Sequence, residues 1–318
     1  MSSKLFDSTI KEIEAQRTDL TDYVSYFESQ KRKERSANPI FCGSGDSLAC
    51  AQFVERLTEF KARAIDPYDL TLYPKISAGK TVYFISVSGR TLTNIRAARI
   101  IKKFNPRKTI AVTANPDSAL ARSCSEVIEL KFTKTPSLTP GTNSFTTSLL
   151  ACSLLFHKAP KMEVGEMIEN AKEWAKESVA GLDGTFHFVG SGVFFALAIY
   201  GAAKIFEFAG ERATYQLTEQ FSHLNLFSLD KEKDSVFILR CKNGEDKTKF
   251  LDANLTQAGI RSTLLPIVGK NHSPIELAIW YAIHLQFLAL EVALRKGLDG
   301  PAFLIDKRIL TVSDKMIY

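Results

Sequence analysis

Three hydroxyl side chains, Ser86, Ser88 and Thr91, fall within six residues around Gly89 in the stretch TVYFISVSGRTLTNIRAARII. Val82, Tyr83, Phe84 and Ile85 before them form the short apolar and aromatic run of a buried strand. After them Ile95, Ala98 and Ile101 keep the 3.6-residue period of a helix. A strand, a hydroxyl-rich turn and a helix put free backbone N–H groups and the positive helix end at one point, a place that suits a phosphate. Ser and Thr also cap helices, but one cap uses one hydroxyl and this turn offers three. The spacing therefore predicts an anion site.

A second group of residues has the types needed to move a proton. Lys204 and Glu207 stand i, i+3 on a helix predicted over 193–210, the spacing of an ordinary helix ion pair. Ala202, Ala203, Ile205, Phe206 and Phe208 surround them, so the carboxylate is partly desolvated and suited to act as a general base. His223 ends YQLTEQFSH at 215–223, which reads as a polar loop before the next strand. It reads either as a satisfied histidine or as a proton donor near that base; His157, His187, His272 and His284 have no comparable neighbours. Gly43-x-Gly45 and Gly190-x-Gly192 lack the third glycine of a dinucleotide fingerprint, and there is no GxxxxGK[ST].

The elements that must hold these residues repeat along the chain. A helix over 3–35 leads in. A strand at 40–42 runs into Gly43-Ser44-Gly45-Asp46-Ser47 and a helix over 48–64, with a short strand at 69–73. The hydroxyl element follows, then strands at 109–113 and 126–130, a loop at 136–147, a helix through 156 and another over 164–179. Past a linker at 181–184 come a strand at 186–189, Gly190-Ser191-Gly192 and the helix carrying Lys204. Strands at 235–239 and 261–267 and a helix over 275–295 complete the pattern. Strand, Gly-Ser-Gly, helix, then apolar strand, turn, helix occurs twice, which predicts a duplicated α/β unit, each half a parallel sheet flanked by helices. Ligands in such sheets sit at the carboxyl ends of the strands. The second copy reads RCKNGED where the first reads SVSGRT, so its serines are gone and Glu245 and Asp246 would repel an anion. The phosphate belongs to the first half.

Bulk properties narrow the class. At 318 residues the chain exceeds one ordinary core. A formal net charge of +6 is too mild for a nucleic-acid partner and compatible with small anionic substrates. The QKRKER run at 30–35 reads as a solvated helix end. Cys42, Cys50, Cys124, Cys152 and Cys241 show no metal spacing and lie mostly in apolar stretches, which predicts reduced buried thiols and a cytoplasmic location. No signal-peptide core opens the sequence. The apolar stretch at 276–294 is broken by His284, Gln286 and Glu291 and reads as a buried helix, not a membrane span.

From about residue 38 onward the chain resembles the double SIS (sugar isomerase) domain proteins, close in layout to the isomerase half of glucosamine-6-phosphate synthase. Ser86-Val87-Ser88-Gly89-Arg90-Thr91 matches the family's SxSGxT phosphate motif, with Arg90 in place of the usual acid or asparagine. Residues 42–47 resemble its first glycine turn, and Gly141, Thr142 and Asn143 open a stretch similar to its sugar-contacting loop. Lys204-Ile205-Phe206-Glu207 falls where the family has KxxE, His223 where it has a ring-opening histidine, and Lys307 or Arg308 where a tail cation reaches the sugar. The resemblance implies two tandem SIS domains, each a parallel five-stranded sheet in a flavodoxin-like three-layer sandwich. It places the lead-in at 1–37, a phosphate-binding domain at 38–160 and a catalytic domain with the tail at 161–318. It further implies a hexose 6-phosphate, possibly an amino sugar, held by Ser44, Ser86, Ser88, Gly89 and Thr91. Glu207 would shuttle a proton through an enediol, His223 would open the ring, and Lys204 or the tail cation would steady the oxyanion, with neither metal nor organic cofactor. A homodimer follows from the same resemblance, with His223 entering the neighbour's site, and no nucleic acid or membrane partner. An aminosugar-phosphate deaminase is the alternative reaction, and a non-catalytic phosphosugar-binding regulator the alternative class.

Overall fold

A computed structural model describes residues 4–34, 36–179, 184–241, 245–267 and 272–318. The chain divides into two compact units. One, here the N-sheet unit, comprises residues 15–134, 143–160 and 307–318; the other, the C-sheet unit, comprises the described parts of 1–14, 135–142 and 161–306. The helix α1 (Lys4–Ser29) contributes to both.

The N-sheet unit is built on five strands, β1 (Ile40–Cys42), β2 (Arg63–Ile65), β3 (Thr81–Ile85), β4 (Lys108–Thr113) and β5 (Glu126–Glu129). Their order is β2-β1-β3-β4-β5 and every pair is parallel. β1 and β3 are buried along their whole length, which is why both read as continuous apolar runs without alternation. Ile40, Cys42, Val82 and Phe84 face one way, onto Ile95, Ala98 and Ile101 of α4 (Leu92–Ile101) and Leu120 of α5 (Ala119–Ser123). Phe41 and Tyr83 face the other way and stack at 4.5 Å, with Phe156 tilted against them. The helices α2 (Asp46–Leu57), α3 (Pro67–Leu72), α6 (Asn143–Ser153) and α12 (Lys307–Ile317) complete the unit.

The C-sheet unit holds β6 (Phe186–Gly190), β7 (Ala213–Leu217), β8 (Ser235–Leu239) and β9 (Arg261–Leu264), all parallel, in the order β7-β6-β8-β9. Its helices are α7 (Val164–Ser178), α8 (Phe195–Ala209), α9 (Thr218–His223), α10 (Glu245–Gln257) and α11 (Pro274–Arg295). α11 and the segment Gly192–Ala209 are long and apolar enough to cross a membrane, yet 89% of the one and 61% of the other is buried inside the protein. The reading of 276–294 as a core helix agrees with this.

The structure departs from the sequence reading at several points. The second strand is Arg63–Ile65 and not 69–73. Asp66 accepts a hydrogen bond from the Tyr68 N–H at 2.7 Å, and Pro67 occupies the first turn, so 67–72 is a helix. The helix expected over 48–64 stops at Leu57, where Glu59 and Phe60 take positive φ and turn the chain into β2. The lead-in helix ends at Ser29 instead of 35, and β9 ends at Leu264 instead of 267. The stretch at 215–223 is not a loop: it begins inside β7 and continues as α9. Among the described residues the second sheet has four strands where five were expected. The linker at 181–183 and Lys242, Asn243 and Gly244 of the RCKNGED turn lie outside the described residues.

α11 also explains one buried titratable group. His284 Nδ1 lies 2.7 Å from the Trp280 carbonyl and Nε2 3.1 Å from the Asn170 side chain, with the Trp280 and Trp174 rings against it. Burial pushes its pKa down from 6.5 to about 4, while the hydrogen bond to Trp280 opposes this. Between those values the unfolded chain takes up a proton that the folded chain refuses. The contribution is therefore complete above the unfolded value and lost as pH falls toward about 4. Urea unfolding at pH 7 and at pH 4.5 should show a fall of about 2 kcal/mol attributable to this group, and His284→Gln should lose that part of the pH dependence. An identical pH profile in the variant would show that His284 is not the group responsible.

Candidate active site

The loop after β3 is fixed from below before any ligand is considered. The Ser86 N–H donates to the Val112 carbonyl at 3.0 Å, and the Gly89 N–H closes a turn onto the Ser86 carbonyl at 3.0 Å. The Thr113 hydroxyl and the Ala114 N–H both donate to the Val87 carbonyl, and the Leu120 N–H to that of Gly89. Gly89 sits at φ +63, and a Cβ there would lie 2.1 Å from Ser118 Oγ and 2.4 Å from its Cβ. Only glycine satisfies both conditions.

This bracing gathers the hydroxyls at the amino end of α4. Ser86 Oγ and Thr91 Oγ1 lie 3.1 Å apart, and Ser88 Oγ accepts from the Arg90 N–H at 3.2 Å. Thr91 occupies the N-cap position, but its side chain does not cap, so its hydroxyl is not spent on the helix. The first turn of α4 therefore keeps the orphan N–H donors and partial positive charge that favour an anion. Ser44 emerges beside this loop for a simple reason of register: Cys42 pairs with Phe84, and Ser44 and Ser86 each stand two residues beyond that pair. Ser44 is exposed, and the Gly45 that starts α2 carries no side-chain cap either. Arg90 is exposed, and its guanidinium lies 5.3 Å from the Tyr318 ring. Lys307 and Arg308 open α12 and are exposed; the opposite end of that helix is the one that meets Arg90. Asn143 begins α6, is fully buried and donates to Asp19 Oδ2 at 2.5 Å.

The C-sheet unit carries the ion pair. Lys204 is completely buried, an unusual state for an ammonium. Its Nζ donates to Glu207 Oε2 at 2.5 Å and to the Gly141 carbonyl at 3.2 Å, and lies 4.8 Å from the Tyr200 ring. The Tyr200 hydroxyl donates to the same Gly141 carbonyl at 2.7 Å and accepts from Gln286 at 3.0 Å. The Glu207 side chain is about one third exposed, so its carboxylate has one side on the buried cation and another open to solvent. The ammonium fixes the orientation of the carboxylate and supplies its counter-charge. Thr142, next to Gly141, is also fully buried.

His223 ends α9 with its side chain 68% exposed and lies 3.2 Å from Glu219. Glu219 pairs in addition with Lys247, which together with His223 holds its carboxyl below the ordinary value. Sequence reasoning did not find Tyr200 or Gln286, which fix Gly141, nor Thr113 and Ser118, which fix the Ser86 loop. Tyr200 had a signal, since it stands four residues before Lys204 on the same helix face. Ser118 had none, because its role depends on how close two loops approach. Gly89→Ala should lower the unfolding free energy by about 1–3 kcal/mol through strain and the clash with Ser118. Gly79→Ala, at φ +68 in open space, is the control and should cost less; equal losses in urea unfolding would mean that the contact with Ser118 adds nothing.

No curated protein matches the sequence. Solved structures do. Glucosamine-6-phosphate deaminase from Thermotoga maritima superimposes with a TM-score of 0.78 at 22% identity, over 93% of this chain and 97% of that one. The C-terminal domain of glucosamine-fructose-6-phosphate aminotransferase from Francisella tularensis gives 0.72 at 16% identity, over 92% and 97%. Tagatose-6-phosphate ketose/aldose isomerase from Escherichia coli gives 0.67 at 17% identity, over 91% and 93%. At these identities the likeness is one of fold. Within the chain, residues 38–158, which contain β1 to β5 and the Ser86 loop, match the SIS domain family.

Proposed function

We propose that the protein is a phosphosugar aldose-ketose isomerase acting on a hexose 6-phosphate. The observation that carries this reading is the set of three hydroxyls, Ser86, Ser88 and Thr91, held at an uncapped helix terminus by a glycine that cannot be replaced. In this reading the 6-phosphate docks there and on the Ser44 turn, anchored by backbone N–H groups and the helix end. Gly141, Thr142 and Asn143 contact the sugar. His223 assists ring opening, which a homodimer would let it do in the neighbouring subunit. Glu207 removes the proton from C2 of the open-chain aldose while the C1 carbonyl oxygen is protonated, which gives the enediol. The same carboxyl group then returns its proton to C1 as the C2 hydroxyl becomes the carbonyl. Lys204, or Lys307 or Arg308 of the tail, steadies the charge that develops on oxygen. The protein would be two tandem SIS domains working in the cytoplasm, a view supported by the shared strand order of the two sheets.

A deaminase is the second reading, favoured by the likeness to the Thermotoga maritima enzyme. With an amino sugar the same proton transfer yields an imine at C2, which water hydrolyses to a ketose and ammonia. In deuterium oxide, the wild type should exchange hydrogen at C1 of fructose 6-phosphate or C2 of glucosamine 6-phosphate. Glu207→Gln should slow this by about 10²–10⁴-fold. Ammonia in the same tubes marks the deaminase. If the wild type exchanges neither sugar yet binds both, the protein is a phosphosugar sensor and the enzyme reading fails.

A further inference from the structure

We propose that the amino-terminal edge of the first sheet is a second anion-binding site, built for a small ligand with two phosphate or comparably acidic groups. A cavity of about 330 Å³ opens there, within the ~300–1,000 Å³ typical of small-molecule pockets. Its rim is formed by the first residues of three adjacent strands, Thr81, Lys108 and Glu126, and by the chain leaving α1. The QKRKER run is thus not merely a solvated helix end. The turn after α1, with Lys31 at φ +50, brings Lys31, Arg32 and Lys33 to the same cavity as Arg107 and Lys108.

The charge balance defines the ligand. Five cationic side chains line the cavity against two carboxylates, Glu34 and Glu126. Both carboxylates are engaged. Glu126 pairs with Lys108 at 2.6 Å, and Glu34 accepts from the Tyr83 hydroxyl and the Ser36 N–H, each at 2.5 Å. Lys31, Lys33 and Arg107 have no salt-bridge partner among the described residues. An excess of three positive charges around one opening matches a diphosphate better than a monoanion. Tyr83, Ile110, Ile128 and Leu155 give the cavity an apolar floor, and no histidine or cysteine lines it, so it holds a ligand without a group to transform it.

The site is distinct from the Ser86 loop. β3 starts at Thr81 on this edge and ends at Ile85 on the other, five residues or roughly 15 Å away. Substrates of parallel sheets bind at the carboxyl ends, so an anion at the amino ends is an effector.

Inorganic pyrophosphate is a suitable probe. Calorimetric titration should be done on the full chain carrying Ser86→Ala and Ser88→Ala, which weakens the loop after β3. That protein should still bind pyrophosphate, less tightly as ionic strength rises. Adding Lys33→Gln and Arg107→Gln should weaken binding by about tenfold or more, whereas Lys33→Arg with Arg107→Lys should retain it. Both side chains are exposed, and matching thermal melts verify the fold. The proposal is overturned if the serine variant binds no pyrophosphate, if the glutamine pair leaves affinity unchanged, or if the charge-conserving pair loses it as well.

Discussion

One close approach, residue 89 against Ser118, governs the N-sheet unit. With φ positive and the Ser118 hydroxyl where a side chain would begin, the loop after β3 tolerates no Cβ. That contact seats the loop on the end of β4, where Val112, Thr113 and Ala114 fix its backbone by hydrogen bonds. Loop donors are thereby spent in some places and left for a ligand in others. Thr91 shows the difference: it stands in the capping position of α4 and does not cap. A helix end left unsatisfied is a standing cost unless water or an anion covers it, and three hydroxyls around it favour the anion.

The C-sheet unit depends on a different constraint, the burial of an ammonium. Lys204 has no exposure, so its charge must be met inside the protein. Glu207, the Gly141 carbonyl and the Tyr200 ring meet it, and Gln286 holds the Tyr200 hydroxyl in place. A pair of this kind contributes little to stability over an apolar packing. The pair therefore stands in an otherwise apolar helix as a feature that fold stability alone does not require, with the Glu207 carboxylate about one third exposed.

What the sequence made legible follows from the range of the forces involved. β1, β3 and β8 were read correctly because strands buried on both faces are near-continuous apolar runs. β7 was missed because an edge strand with mixed burial, Ala-Thr-Tyr-Gln-Leu, carries no such signature. The helix 67–72 was missed because Asp66-Pro67, a pair that can end a helix, is also a strong start. Within the N-sheet unit Ser86, Ser88 and Thr91, and within the C-sheet unit Lys204 and Glu207, were visible as local spacings. Of their supports, Tyr200 is marked by its place four residues before Lys204, whereas Ser118 and Gln286 come from distant segments and nothing local marks them. The basic run at 30–35 was legible as charge but not as part of a cavity, since Arg107 and Lys108 join it only through the pairing of β3 with β4.

The two sheets share an order, β2-β1-β3-β4 and β7-β6-β8-β9, and the difference between them lies in which crossover was put to use. Both first strands run into a Gly-Ser-Gly turn, after β1 and after β6. In the N-sheet unit the serines stand in the turn after β3, where α4 presents its amino end. In the C-sheet unit the corresponding stretch after β8 has no serine and reads Arg240 to Asp246, and the charged pair sits on α8, the helix after the first strand. An anion loop needs a helix terminus, whereas a desolvated ion pair needs a helix interior packed against a core helix such as α11. One strand order offers both environments, and each unit uses a different one.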